Sequence, residues 1–156
     1  MTDGFLLDTN IISIFSPDRK VPVPQRARQW MHAQGEAGTL YLSAITIAEI
    51  EKGLRGLHRR GGVERARRLN GWLDMVIDTF ADRILPLDGT VARHLGKLED
   101  AALAKGHHPG LGDLIIAATA KAYGLTVVTQ NLKHFAPLGM DCTLPEALQI
   151  TPSSQL

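Results

Sequence analysis

Three acidic residues in this chain stand where ordinary structural roles explain them poorly: Asp8 in FLLDTNIISI, Glu49 in SAITIAEIEKGLRG and Asp113 in LGDLIIAATAKAYG. Asp113 gives the sharpest signal. It opens the most apolar helical stretch, among Leu111, Leu114, Ile115 and Ile116, with no basic residue in helical reach. A helix N-terminus favours an anion by about 0.3 to 1 kcal/mol, less than a partly dehydrated carboxylate costs without a partner. A cation would be such a partner; the alternative is an acid complementing the helix dipole at a solvent edge. Asp8 follows an apolar run, and open α/β sheets place ligands at the carboxyl ends of their strands. Before Ile11-Ile12, however, an aspartate is equally a helix N-cap. Glu49 has Gly53 at i+4 and Ile45 at i−4, a flank that another part of the chain could approach closely. A pair with Lys52 is the alternative there, whereas Glu51 is accounted for by Arg55 at i+4.

If the acids converge, the electrostatics demand a cation. Two unit charges about 4 Å apart repel by about 1 kcal/mol in water and about 4 kcal/mol at an effective dielectric of about 20. Oxygen-only ligands select hard ions, and few protein ligands completed by water describes Mg²⁺ or Mn²⁺ better than zinc. Zinc would call for His or Cys in close array. The adjacent His107-His108, in a glycine- and proline-flanked loop, reads instead as a surface turn.

The elements that must position these acids alternate. Short β-like runs at FLL (5–7), LYLS (40–43), ILPL (84–87) and LTVVT (125–129) are separated by long helical patterns, which predicts an α/β fold with a parallel sheet. Leu69, Leu73, Val76 and Phe80 form one buried helical stripe, and Val91, Leu95, Leu98 and Ala102 another. Gly61-Gly62 separates the first of these helices from the one before it. In the third, Leu111, Ile115, Ala118 and Ala122 make one stripe while Ile116, Ala117 and Ala120 cover the next face. That helix is expected at the centre, with Gly124 as its stop. VPVP at 21–24 is a rigid loop leading into a helix with Trp30. Residues 1–150 read as one domain and 151–156 as a frayed tail.

Composition sets the outer limits. The 156 residues are 44% hydrophobic and 21% charged, the balance of an ordinary globular protein. A formal net charge of +1 excludes broad electrostatic wrapping of nucleic acid but not a local patch. The densest candidate is Arg55, Arg59, Arg60, Arg65, Arg67 and Arg68 against Glu64, either a phosphate grip or a solvated surface. One cysteine, Cys142, no apolar stretch of membrane-span length and a start without a charged leader suggest a cytoplasmic protein.

Taken in order, LLDTN, AEIEKG, GDLIIAATA and VVTQNLKHF resemble the four signature blocks of the PIN-domain ribonucleases, most closely the VapC-type toxins of toxin–antitoxin pairs. The blocks span nearly the whole chain. The resemblance implies a three-layer α/β/α sandwich around a mostly parallel sheet, with Asp8, Glu49 and Asp113 binding Mg²⁺ or Mn²⁺ and cleaving RNA. Asp8 and Asp113 would hold the ion, and Glu49 would position or deprotonate the attacking water. A fourth acid commonly comes from the last block, but Asn131 and His134 stand here instead. Asn131 could ligate through its carbonyl oxygen and Thr129 could hydrogen-bond a carboxylate, while His134 reads as a surface residue without a role. The implied partners are RNA, a VapB-like antitoxin and a second copy of the chain. The apolar helix at 24–36 and the helix pair across Gly61-Gly62 are the candidate interfaces. A binding module with impaired catalysis is the competing expectation. An aspartyl-phosphatase fold fits less well, because DTN lacks the second aspartate of D-x-D.

Overall fold

Leu6 and Leu7 are adjacent in one strand and both fully buried, so both faces of that strand are covered. The computed structural model describes residues 4–17 and 19–150, and the tail expected to fray at 151–156 lies outside them. The elements run β1 (Phe5–Leu7), α1 (Thr9–Ile12), α2 (Gln25–Glu36), β2 (Leu40–Ser43), α3 (Ala44–Arg59), α4 (Val63–Phe80), β3 (Ile84–Leu85), α5 (Gly89–Ala104), α6 (Leu111–Tyr123), β4 (Thr126–Val128), α7 (Leu132–Phe135) and β5 (Cys142–Thr143). They build a five-stranded sheet in the order β3-β2-β1-β4-β5, every pairing parallel.

Side-chain alternation sorts the core into two layers. Leu7, Leu40, Leu42 and Val128 face one side, against Trp72, Val76 and Phe80 of α4 and Ala27 of α2. Leu6, Leu85 and Val127 face the other, against Ile116, Ala117 and Ala120 of α6, with Leu98 of α5 packed beside them. The result is the expected α/β/α sandwich. Residues 114–120 of α6 are all buried, as a central helix requires, and Gly124 ends it in the left-handed region at φ 66°.

Several local expectations change. Leu111 is 61% exposed and leaves the α6 stripe, whose burial begins at Leu114. The run at 84–87 pairs only at Ile84 and Leu85, since Pro86 has no N–H to donate. At 125–129 the strand is Thr126–Val128: the Leu125 N–H is spent closing α6 on the Ala120 carbonyl, while the Thr129 N–H still donates to the Thr143 carbonyl. The strand β5 was not foreseen. The helix at 24–36 is not apolar: Ala27 alone is buried, and Trp30 and Met31 lean on the core from a polar surface.

The α3–α4 corner depends on its two glycines for different reasons. Gly61 sits at φ 92°, and a β-carbon on Gly62 would fall 2.6 Å from Leu57 Cδ1 and 3.2 Å from the Leu57 carbonyl oxygen. After α4, Ala81 occupies φ 47° without being a glycine, a strained conformation. Gly62→Ala is expected to destabilise the protein by about 1 to 3 kcal/mol through overpacking. Ala81→Gly should instead stabilise it by roughly 1 kcal/mol as strain is relieved. Thermal unfolding would read these as Tm changes of opposite sign, about 2 to 4 °C per kcal/mol; a loss of stability in Ala81→Gly would contradict the strain assignment.

Candidate functional site

Asp8 lies where β1 ends. Its N–H donates to the Val128 carbonyl at 2.9 Å, extending the strand pairing by one bond, and the chain then turns into α1. The side chain caps that helix by accepting from Thr9 N at 2.8 Å. The N-cap alternative is therefore realised through Oδ1. The other oxygen, Oδ2, accepts from Thr129 Oγ1 at 2.8 Å and Asn10 Nδ2 at 3.1 Å. Thr129 is itself fixed, fully buried, with its hydroxyl oxygen accepting from Asn131 N at 2.9 Å.

Only 4% of Asp8 is exposed, and every donor to it is neutral. Burial pushes its carboxyl above the ordinary 3.8; the hydrogen bonds from Thr129 and Thr9 oppose that, and repulsion from Asp113 and Glu49 adds to it. Both other acids are thus close enough to act on Asp8 through space.

Glu49 stands on the exposed side of α3, one turn after Thr46. Thr9 Oγ1 donates to its Oε1 at 2.8 Å and lies 3.0 Å from Thr46 Oγ1. A hydroxyl has a single proton, so Thr46 must be the donor to Thr9 in this relay. The close approach expected at Gly53 occurs elsewhere, since a β-carbon there would meet nothing within 4 Å, whereas one on Gly112 would lie 3.3 Å from Glu49 Oε2. The start of α6 therefore passes directly beside Glu49, and a side chain at 112 would crowd that carboxylate.

Asp113 follows in the first turn of α6, its side chain 32% exposed. No basic residue of its own helix reaches it, but His134 of α7 does, with Nδ1 3.2 Å from Oδ2. His134 is thus not the idle surface residue expected from sequence. Asn131 is exposed at the N-cap of α7 and makes no side-chain cap bond; its backbone N–H, rather than its amide, serves the site through Thr129. Sequence reasoning missed Thr46 and the contact of His134 with Asp113. Only Thr46 left a signal, its i−3 spacing placing it on the same helix face as Glu49.

The donor chemistry fits a hard divalent ion. Asp8, Glu49 and Asp113 offer carboxylate oxygens alone, and the burial of Asp8 among neutral donors leaves its charge unbalanced. Among the described residues no group of three or more His, Cys, Asp or Glu side chains is gathered to enclose an ion. Asp8, Glu49 and Asp113 are therefore near one another without forming a closed ligand cluster. The arginine cluster lies apart on the exposed α3–α4 corner, where Arg55 pairs with Glu51 at 3.1 Å and Arg67 with Glu64 at 2.8 Å. Pairs this exposed contribute little to stability.

Comparison with known proteins agrees with this architecture. The PIN domain family model matches residues 5–136. The VapC ribonuclease Y4jK of Sinorhizobium fredii is 37% identical over 143 residues, 90% of this chain and 96% of that protein. Toxin FitB of Neisseria gonorrhoeae is 36% identical over 134 residues, covering 83% and 89%. The crystal structure of FitAcB from the same organism superposes with a TM-score of 0.77 at 32% identity, over 94% of this chain and 99% of that one. The chain belongs to the PIN-domain family, among its VapC-type members.

Proposed function

We propose that this protein is a metal-dependent endoribonuclease, the toxin of a toxin–antitoxin pair, acting in the cytoplasm. The observation that carries this is the buried carboxylate of Asp8, held by neutral donors, with Glu49 and Asp113 close enough to repel it. The ribonuclease and toxin names of its relatives support the same conclusion. Asp8 and Asp113 would hold Mg²⁺ or Mn²⁺, which when bound supplies Lewis-acid polarisation of a phosphate and acidification of water. Thr129 holds Asp8 Oδ2 in place, and the Thr46–Thr9 relay fixes Glu49 Oε1. Glu49 Oε2 is then the atom that orients water and accepts its proton for in-line attack on phosphorus. The products would carry 5′-phosphate and 3′-hydroxyl ends.

One observation favours a second reading, an RNA- or partner-binding module without catalysis: Asn131 and His134 replace further acids, and His134 holds Asp113. Incubation of total bacterial RNA with purified protein and Mn²⁺ separates the two. The nuclease cleaves, and Asp8→Asn loses more than about 100-fold in rate, beyond the 10- to 100-fold typical of residues that only support a metal ligand. Equal RNA survival with both proteins would favour the binding module, and 2′,3′-cyclic phosphate ends would refute the metal-assisted mechanism.

A proton and a cation compete for Asp8. Because its carboxyl titrates above the ordinary 3.8, the stability tied to its protonated form is fully present below that value and lost as pH rises through the raised one. Ion binding follows the opposite trend. Mn²⁺ should therefore raise the Tm of the native protein at pH 7, and progressively less as the pH falls into that range. In Asp8→Asn the Mn²⁺ shift should be small throughout; an undiminished shift would remove Asp8 from the ligand set.

For the partner, a VapB-like antitoxin, the groove between α2 and α4 is the best-fitting surface. It encloses about 230 Å³ between Met31, Trp72, Met75 and Phe80, and Met75 is 57% exposed. A second copy of the chain would pair through the α3–α4 corner. Met75→Glu should weaken capture of the protein encoded by the neighbouring reading frame at least about 5-fold, the loss of a contact worth 1 kcal/mol or more. Unchanged capture in a pull-down titration would place the antitoxin on another face.

A further inference from the structure

The chemistry above leaves one feature unused, a cleft of about 430 Å³ that opens beside Asp113. Its walls come from two places, His107 and His108 on the loop between α5 and α6, and Lys133 and His134 on α7. Apart from Asp113 at its edge, every polar side chain lining it is an N–H donor. His134 is committed to Asp113 at 3.2 Å. Lys133, His107 and His108 make no side-chain hydrogen bond or ion pair among the described residues, in contrast to Arg55 and Arg67 of the arginine cluster. Pro109, Pro137 and Leu138 supply apolar surface, and Gly110, the uncapped N-cap of α6, lines the same space.

We propose that this cleft is the subsite for the nucleotide adjoining the bond that is cut, with Lys133, His107 and His108 holding its phosphate; this rests on the nuclease function proposed above. The volume suits a group of nucleotide size, since small-molecule sites run from about 300 to 1,000 Å³. A lysine supplies a point charge, and a histidine ring keeps an N–H donor in either protonation state. The proline and leucine surface receives the sugar or base. Because Asp113 belongs both to the cleft and to the acidic site, a strand seated in the one leads its next phosphate into the other. The arginine cluster, partly neutralised and on a separate corner, is not needed for this contact.

The test uses the full chain carrying Asp8→Asn, so that RNA is bound without being cut. The probe is a fluorescein-labelled random-sequence RNA about 20 nucleotides long, longer than the roughly 4 to 16 nucleotides a single-strand groove covers. Anisotropy titrations over a range of KCl should show affinity about 5- to 10-fold weaker with Lys133→Ala and with the double change His107→Ala, His108→Ala. The slope of log K against log salt should fall by about 0.7 with Lys133→Ala, the loss of one phosphate contact to a single strand, and Lys133→Arg should restore it. In the otherwise native protein, Lys133→Ala should raise KM with kcat within about 2-fold. Unchanged affinity, slope and KM, with the native protein still cleaving RNA in Mn²⁺, would overturn the subsite and leave the nuclease standing. A native protein that does not cleave would overturn both. Weakened antitoxin binding with unchanged RNA affinity would assign the cleft to the protein partner instead.

Discussion

The constraint on which the rest of this molecule turns is a carboxylate placed out of water, at the end of the central strand, within the field of two more carboxylates. Among the described residues Asp8 has no basic side chain to balance it and is held by hydroxyl, amide and backbone donors instead. Such a group opposes the folded state at neutral pH, and a sequence selected for stability alone would have replaced it. The surrounding polar groups are orderly nonetheless. Thr129, Thr9, Thr46 and Asn10 each give a defined hydrogen bond to an acid or to another member of the set. This is a fixed frame around unbalanced charge, which is what a protein needs if a mobile cation is to enter and find its oxygens already aimed.

Most of the scaffold was legible because parallel strands buried on both faces leave unbroken apolar runs. FLL and LYLS could be read directly, and Leu73, Val76 and Phe80 followed from helical periodicity. The cysteine–threonine strand was not legible, since two residues carry no pattern and their pairing with Val127 and Val128 is imposed by the assembled sheet. Leu111 misled because apolarity reports what a residue prefers, while its place in the fold decides what it gets.

The candidate site divides in the same way. The three acids were visible as charges without local partners, a property written in the sequence neighbourhood. The cap and the Thr129 bond of Asp8 were expected, but the partners of Glu49 and Asp113 were not, because Thr9 reaches Glu49 and His134 reaches Asp113 across distant segments that come together only in the fold. Gly53 was a reasonable guess for the close approach to Glu49, yet the crowded position is Gly112 on another helix. Sequence can show that a residue lacks a companion nearby; it cannot say which remote one will arrive. His134 is instructive here: where the family commonly supplies another acid, this chain supplies a base that already leans on Asp113.

The strand order also has a temporal consequence. Thr129, which clasps Asp8, lies 121 positions further along the chain, and the strand preceding it completes the sheet beside β1. Synthesis proceeds from the amino end, so Asp8 is made well before the strand that leads to its clasp. Until that strand is made and paired, Asp8 lacks the hydroxyl that clasps its Oδ2.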